Sequence, residues 1–201
     1  MTFPDITDTE SAADLPAEAR GRAVTVYGAS AAGIDDIYKS AARELGRLVA
    51  CAGRPLVSGG GRQGLMGAAI EGASEAGGIT IGVLPRFMVE KGWQHTALTQ
   101  MVTVNTMHRR KAMMAALASD VVAMPGGIGT FEELMEIITW RQLGLYRGNV
   151  IILNTAAYYD PLLAMLDRAE ERHFMRRCES DAPLYSVVAT PSEAIALINA
   201  L

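Results

Sequence analysis

Short apolar runs alternate with longer segments of helical character along this chain, and this alternation constrains the fold more than any other feature. The runs that predict strands cover residues 23–27, 55–58, 79–84, 101–104, 121–124, 150–153 and 185–188. The segments that predict helices cover residues 35–51, 64–76, 107–118 and 130–145, and two more begin near 161 and 191. Residues 85–98 follow neither pattern and are predicted to be irregular.

Most of the predicted strands are apolar throughout rather than alternating, as expected where helices cover both faces of a sheet. The order of the elements therefore predicts an α/β fold, a single doubly wound, Rossmann-like parallel sheet with helices on both faces. In such sheets ligands bind beyond the carboxyl ends of the strands, so we expect the functional residues in the loops that follow the strands.

Length and charge divide the chain into a tail and one folded domain. The 201 residues are enough for a single domain that buries a core without disulfide or metal staples. Residues 1–20 carry five acidic side chains, one arginine and no apolar run, which predicts a disordered tail rather than a secretory signal. Residues 21–201 are predicted to form the folded domain.

Charge and cysteine content argue against several classes of protein. The net charge of −4 disfavours a nucleic-acid partner, which requires a basic surface. No apolar run approaches the ~20 residues that span a bilayer, so no membrane partner is expected. Cys51 and Cys178 are far apart, and with only three histidines they suggest neither a disulfide framework nor a metal site. We therefore expect a protein of the reducing cytoplasm.

The glycine-rich loop after the second predicted strand leaves several interpretations open. Residues 59–64 read GGGRQG and match GxGxxG between a strand and a helix, where successive backbone N–H groups attract phosphate. A dinucleotide fingerprint also needs an acid about 20 residues later, but residues 83–86 read VLPR. A nicotinamide cofactor is thus disfavoured, which leaves a mononucleotide or phosphate contact, or a tight turn without a ligand.

The segment 124–133, MPGGIGTFEE, is the most particular in the chain. It passes through three glycines before a helix that is predicted to begin at Thr130. A phosphate there would meet backbone N–H groups, the Thr130 hydroxyl and the positive end of the helix dipole. The alternative is a capping box, in which Glu133 reaches back to the amide of Thr130. Such a cap contributes only ~1 kcal/mol and leaves the glycines unexplained, which favours a ligand site.

A run of basic residues, MHRRK at 107–111, opens the preceding helix. A solvated charge run is the ordinary interpretation of such a cluster. This helix begins just after a strand, however, on the same edge of the sheet as segment 124–133. Arg110 is therefore placed to offer its planar fork of donors to phosphate or ribose oxygens.

Three motifs, in this order, resemble those of the LONELY GUY (LOG) family, cytokinin riboside 5′-monophosphate phosphoribohydrolases that have often been labelled lysine decarboxylases. Residues 59–67 resemble the family's GGGxxGLMG loop, residues 107–111 its MHxRK element, and residues 125–133 its PGGxGTxxE motif. Residues 27–30, YGAS, are similar to the first loop of the family without its usual cysteine. The resemblance extends from about residue 22 to the C-terminus, and Gly92 stands where many members carry a second acid.

The resemblance implies hydrolysis of the N-glycosidic bond of an N6-modified AMP, with release of a free base and ribose 5-phosphate and with no metal or other cofactor. It implies that Glu133 is catalytic, since a carboxylate stabilises positive charge at the anomeric carbon and activates water. It implies a second catalytic role for Arg110, which would hold the ribose or phosphate. The resemblance assigns further contacts with the substrate or its phosphate to Ser30, Gly59, Gly60, Gly61, Met107, Lys111, Gly126, Gly127, Ile128, Gly129, Thr130 and Thr139.

The helix at 130–145 is apolar on more than one side, which bears on assembly. Its main stripe is predicted to face the sheet, and Ile137, Trp140 and Leu145 lie on its other sides. Since members of the resembled family typically form dimers through this region, we expect a homodimer. Trp93, Met113 and Met114 are expected to be core or interface residues.

Two other functions compete with hydrolysis. Carriers of molybdenum cofactor share the fold and a similar glycine loop, and they bind a nucleotide-like ligand without cleaving it. The pairing of Arg110 with Glu133 favours the hydrolase, because a carrier needs no carboxylate beside the anomeric carbon. A pyridoxal-phosphate decarboxylase is disfavoured, since none of the three lysines lies in a suitable motif for a Schiff base.

Overall fold

The computed structural model describes residues 21–175 and 183–199, and its strands form one seven-stranded parallel sheet. The acidic segment 1–20, Cys178 and the last two residues lie outside the described residues. The strands are β1 (Ala23–Tyr27), β2 (Leu56–Ser58), β3 (Thr80–Pro85), β4 (Gln100–Val104), β5 (Ala118–Ala123), β6 (Asn149–Leu153) and β7 (Ser186–Val188). Their order in the sheet is β4-β3-β2-β1-β5-β6-β7.

A helix follows each strand. They are α1 (Asp36–Cys51), α2 (Gly64–Glu75), α3 (Arg86–Glu90), α4 (Met107–Leu117), α5 (Ile128–Gln142), α6 (Asp160–Glu171) and α7 (Pro191–Asn199). In the part of the chain that the structure describes, no helix combines the length and the apolar character needed to cross a membrane.

The sheet is covered on both faces, which explains why its central strands are apolar throughout. On one face the strands pack against residues of α4 and α5, among them Leu117 and Leu134. On the other face they pack against residues of α1, α2 and α7, among them Leu45, Ile70 and Ile198. This arrangement confirms the predicted doubly wound parallel fold.

The connections diverge at β1, which pairs with β2 on one side and with β5 on the other. After β1 the chain enters α1 on one face of the sheet, and after β5 it enters α5 on the opposite face. Loops that leave neighbouring strands in opposite directions open a crevice at the carboxyl edge of the sheet. The three glycine-rich loops follow β1, β2 and β5 and therefore surround this crevice.

Two local predictions were wrong. The helix after β5 begins at Ile128 with Gly127 as its N-cap, so Thr130 lies inside the first turn and is buried. Thr130 and Glu133 consequently do not form a capping box, because the N-cap is three residues earlier. The segment 85–98, predicted to be irregular, contains the short helix α3.

Candidate active site

The loops after β1, β2 and β5 are fastened to one another at the crevice. The N–H of Ala29 donates to Pro125 O at 3.1 Å, which joins the first loop to the third. The N–H of Leu65 donates to Ala29 O at 2.8 Å, which joins the start of α2 to the first loop. Gly64 has a φ of +66°, and a Cβ there would lie 2.3 Å from Ala29 O. Glycine is thus required where these loops meet.

Arg110 is buried beneath the loop that follows β2. α4 begins at Met107, with the Thr106 hydroxyl accepting from the Arg109 N–H, and its first turn directs Arg110 under the sheet edge. The Arg110 Nε donates to Val83 O at 3.0 Å and its Nη2 donates to Gly59 O at 3.0 Å. A Cβ at Gly59 would lie 1.8 Å from that Nη2, so glycine at 59 makes room for the guanidinium.

Glu133 faces Arg110 from α5. Its Oε1 lies 3.9 Å from Arg110 Nη1, and both side chains are largely buried, at 12% and 8% exposure. Burial raises the pKa of Glu133 to about 7, against the opposing effect of the Arg110 charge. Burial likewise lowers the pKa of Arg110, again against the attraction of Glu133. A carboxyl group with a pKa near neutrality is suited to exchange a proton with water or substrate.

The start of α5 forms an open cradle of backbone, made of residues 126–130. A Cβ at Gly127 or Gly129 would meet nothing within 4 Å, and Ile128 is 87% exposed. Thr130 packs beneath Gly126, where a Cβ would lie 2.1 Å from the Thr130 Oγ1. The first N–H groups of a helix have no partners within the helix. The cradle can therefore bind an anion through N–H groups and the helix dipole.

A cavity of about 340 Å³ lies next to Arg110, between the first two glycine loops and β3. Ser30, Gly59 and Gly61, to which the resemblance assigns substrate contacts, line this cavity, while Gly60 supplies the turn with a φ of +70°. Its other lining residues are Arg62, Gln63, Met66, Leu84, Met88, Trp93 and Arg110. Met66, Leu84, Met88 and Trp93 give part of this lining an apolar character, which suits a flat aromatic group.

Trp93 and Met88 reach this cavity through contacts that the sequence pattern does not reveal. Arg62 donates its N–H to Trp93 O at 3.2 Å, and His95 donates its N–H to Gly60 O at 2.8 Å. These two hydrogen bonds hold residues 93–95 against the loop after β2. Trp93 is not a core residue, because it is 44% exposed and lines the cavity, while its expected place at an interface stays a prediction. Met113 and Met114 are buried in the core, as expected.

Three residues implied by the resemblance lie outside this cluster. Lys111 is buried, but it pairs with Glu132 and, at 3.1 Å, with Glu136 on α5. Thr139 is exposed on α5, and its hydroxyl donates to Met135 O at 2.7 Å. Met107 is 39% exposed at the start of α4. Within residues 21–175 and 183–199, no three His, Cys, Asp or Glu side chains gather into a group that could hold a metal.

The chain is similar to known proteins over most of its length. Residues 66–198 match the family described as "Possible lysine decarboxylase". The chain is 37% identical over 193 residues to the probable cytokinin riboside 5′-monophosphate phosphoribohydrolase LOGL2 of Oryza sativa subsp. japonica, covering 95% of this chain and 78% of that one. It is 39% identical over 155 residues to the cytokinin riboside 5′-monophosphate phosphoribohydrolase of Rhodococcoides fascians, covering 77% and 78%.

The fold is also similar to a solved structure of the Moco carrier protein from Chlamydomonas reinhardtii. The TM-score is 0.67 and the identity 27%, over 88% of this chain and 94% of that one. Sequence identity is thus higher to the phosphoribohydrolases than to the carrier. The motifs, the family match and these relatives agree, and the chain belongs to the LONELY GUY (LOG) family, the family of the cytokinin riboside 5′-monophosphate phosphoribohydrolases.

Proposed function

We propose that this protein hydrolyses the N-glycosidic bond of AMP or of an N6-modified AMP. The products are the free purine base and ribose 5-phosphate. The observation that carries the proposal is the buried Arg110–Glu133 pair, because Arg110 lines the cavity beside β3 and Glu133 lies on α5, within a turn of the backbone cradle. This arrangement offers one place for the phosphate, one for the base and a carboxylate between them.

The cradle anchors the 5′-phosphate at a distance from the reacting bond. N–H groups of residues 127–130 and the positive end of the α5 dipole attract the phosphate, and the lack of side chains at Gly127 and Gly129 lets it approach. Binding energy from such a remote group can be used to distort the sugar toward its transition state.

The proposed reaction breaks the bond from the anomeric carbon to the base nitrogen and joins a water oxygen to that carbon. Positive charge develops at the anomeric carbon, where the ionised Glu133 stabilises it. The same carboxylate accepts a proton of the attacking water, and this proton passes to the leaving nitrogen, which restores the ionised Glu133. Arg110, fixed by Val83 O and Gly59 O, favours the ionised carboxylate and holds the ribose.

The decisive experiment compares Glu133→Gln with the wild-type protein. Removal of the carboxylate should lower the rate of base release from AMP by at least ~100-fold, because general base catalysis and charge stabilisation are both lost. The Kd for AMP should change little, since the phosphate cradle and the cavity remain. Glu75→Gln, which removes an exposed carboxyl group on α2, provides the matched control and should keep full activity.

Chromatographic detection of the free base, together with calorimetric binding of AMP, distinguishes hydrolysis from the alternative of a carrier. A wild-type protein that binds AMP tightly and releases no base would support a carrier and contradict the hydrolase. Full turnover by Glu133→Gln would contradict only the role assigned to the carboxylate and would still support hydrolysis.

We further propose that the protein works as a homodimer in the cytoplasm. On α5, Ile137 is buried within the chain, contrary to its predicted place on an outer side, but Trp140 and Met135 are only partly buried. Leu143, which caps the end of α5, is 62% exposed. This apolar surface supports pairing with a second copy, which would also bring the exposed Thr139 near a partner. Light scattering should give about twice the 21.4 kDa chain mass.

The proposed location in the cytoplasm is supported by two features. Nucleoside monophosphates and a reduced Cys51 thiol are both typical of the cytoplasm.

A further inference from the structure

The connection between β6 and α6 runs beside the phosphate cradle and holds it through two consecutive tyrosines. The Tyr158 hydroxyl donates to Gly126 O and the Tyr159 hydroxyl to Met124 O, each at 2.6 Å. The carbonyl between these two, Pro125 O, accepts from the Ala29 N–H at 3.1 Å. Three successive carbonyl groups that lead into the cradle therefore each have a fixed donor.

The backbone that presents these tyrosines is strained. Ala156 and Ala157 have φ values of 51° and 57°, a left-handed conformation that is unfavourable for residues other than glycine. Asn154 holds the turn, since its Oδ1 accepts from the Tyr159 N–H at 2.7 Å and its own N–H donates to Val188 O at 2.7 Å. Strain of this kind persists where the surroundings determine the conformation, and it is typical of functional sites.

The hydrogen bond of Tyr158 matters because of the peptide that it fixes. A glycine stands on each side of the Gly126–Gly127 peptide, so this peptide can rotate at less steric cost than any other in the cradle. In a trans peptide the N–H points opposite to the C=O. A flip would therefore replace the Gly127 N–H by the Gly126 carbonyl oxygen, which repels an anion.

Tyr159 makes a similar hydrogen bond with a different consequence. Its acceptor, Met124 O, belongs to the peptide that joins Met124 to Pro125, and proline has no N–H to direct at a ligand. Tyr159 is also fully buried, at 1% exposure, whereas Tyr158 is 38% exposed beside the cradle. The two tyrosines therefore form a natural pair for comparison.

We propose that Tyr158 is a positioning residue for phosphate binding, whose hydroxyl locks the Gly126–Gly127 peptide with its N–H toward the phosphate of the ligand. The inference rests on the proposed function, because it assumes that the cradle binds the 5′-phosphate of a nucleotide. Tyr158 acts through the backbone and touches neither the sugar nor the base.

The test measures binding in the Glu133→Gln protein, which prevents turnover. With Tyr158→Phe added, we expect the Kd values for AMP and for ribose 5-phosphate to rise about tenfold, the effect of one weakened charge-assisted hydrogen bond. The Kd for adenosine, which lacks the phosphate, should stay within about twofold. In the otherwise wild-type protein, the same change should raise KM for AMP more than it lowers kcat.

Tyr159→Phe is the matched control, because it removes the same kind of hydrogen bond, whose acceptor carbonyl, Met124 O, lies two residues before Gly126 O. It should lower the melting temperature and leave the Kd for AMP within about twofold. An equal loss of AMP binding in both variants, an equal loss for AMP and adenosine, or no loss in Tyr158→Phe would each overturn the inference. If the Glu133→Gln parent bound no AMP at all, the proposed function itself would fail, and this result is distinguishable from the others.

Discussion

At the level of single residues, burial determines the chemistry of the Arg110–Glu133 pair. An exposed glutamate would be ionised well below neutral pH, but the largely buried Glu133 has its pKa raised to about 7. Arg110 opposes this shift and is itself held by two backbone carbonyls. The carboxyl group is thus able to lose and regain a proton at neutral pH, as a general base in hydrolysis must.

The pH dependence of base release follows from this raised pKa. Because the base must be ionised, we expect kcat/KM for AMP to rise with pH up to about 7 and to level off above it. Arg110→Met removes the charge that favours ionisation, so the rising limb should move to higher pH. A profile of initial rates between about pH 5 and 9 tests both expectations.

The substrate phosphate titrates near pH 6, so the same measurement needs a binding control. The Kd for AMP in Glu133→Gln should show no step near pH 7. A flat kcat/KM between about pH 5 and 7 would contradict the assignment of Glu133 as the base.

Residues of the site differ in how well the sequence predicts them. Arg110 and Glu133 lie in compact motifs at the carboxyl edge of the sheet, and the structure brings them within 3.9 Å of each other. Trp93 and Met88 could not be predicted, because backbone hydrogen bonds between two distant loops bring them to the cavity. Their roles toward a substrate remain predictions, as do those of the cradle residues.

At the level of the elements, continuous apolar runs made the strands predictable, since both faces of the sheet are covered. Helix ends were harder to predict. The capping pattern at Thr130 placed the start of α5 too late, because Gly127 caps the helix with its backbone and Thr130 packs under Gly126 instead. α3 has only five residues, too few to show a helical period.

The contact between the loop after β2 and helix α4 yields a prediction at this level. Gly59→Ala would place a Cβ 1.8 Å from the Arg110 Nη2 and displace the guanidinium. A misplacement of about 1 Å at a catalytic group can cost about 100-fold, so we expect kcat/KM for AMP to fall by that order. Gly33→Ala is the control, since its Cβ would meet nothing within 4 Å. If Gly59→Ala kept wild-type activity while folded, the buried position of Arg110 would not matter for turnover.

At the level of the whole molecule, the carboxyl and amino ends of the parallel strands form two edges of the sheet with different functions. The carboxyl edge carries the glycine loops, whereas the amino edge carries a buried polar network around Asp120. Arg54 Nη2 donates to Asp120 Oδ2 at 2.8 Å, and Asn149 Nδ2 donates to Asp120 Oδ1 at 2.8 Å. This network ties the loop before β2 to β5 and β6, on the side away from the candidate active site.

Asp120→Ala should therefore affect stability and leave catalysis unchanged. Loss of the carboxylate leaves Arg54, only 18% exposed, without its charge partner, so the free energy of unfolding should fall by about 3 kcal/mol. Denaturant unfolding measures this loss, and kcat/KM for AMP at low temperature should equal that of the wild type. A fall in kcat/KM without a loss of stability would show that the two edges are coupled.

The order of the strands also delays completion of the molecule during its synthesis. During synthesis the neighbour of β1, strand β5, is made about 95 residues after it. At a translation rate of ~5–20 residues per second, one edge of β1 stays unpaired for roughly 5–20 s. An apolar strand with an unpaired edge is prone to aggregate until its partner strand pairs with it. A chaperone that shields nascent chains should therefore raise the yield of native protein, and slower translation without one should lower it.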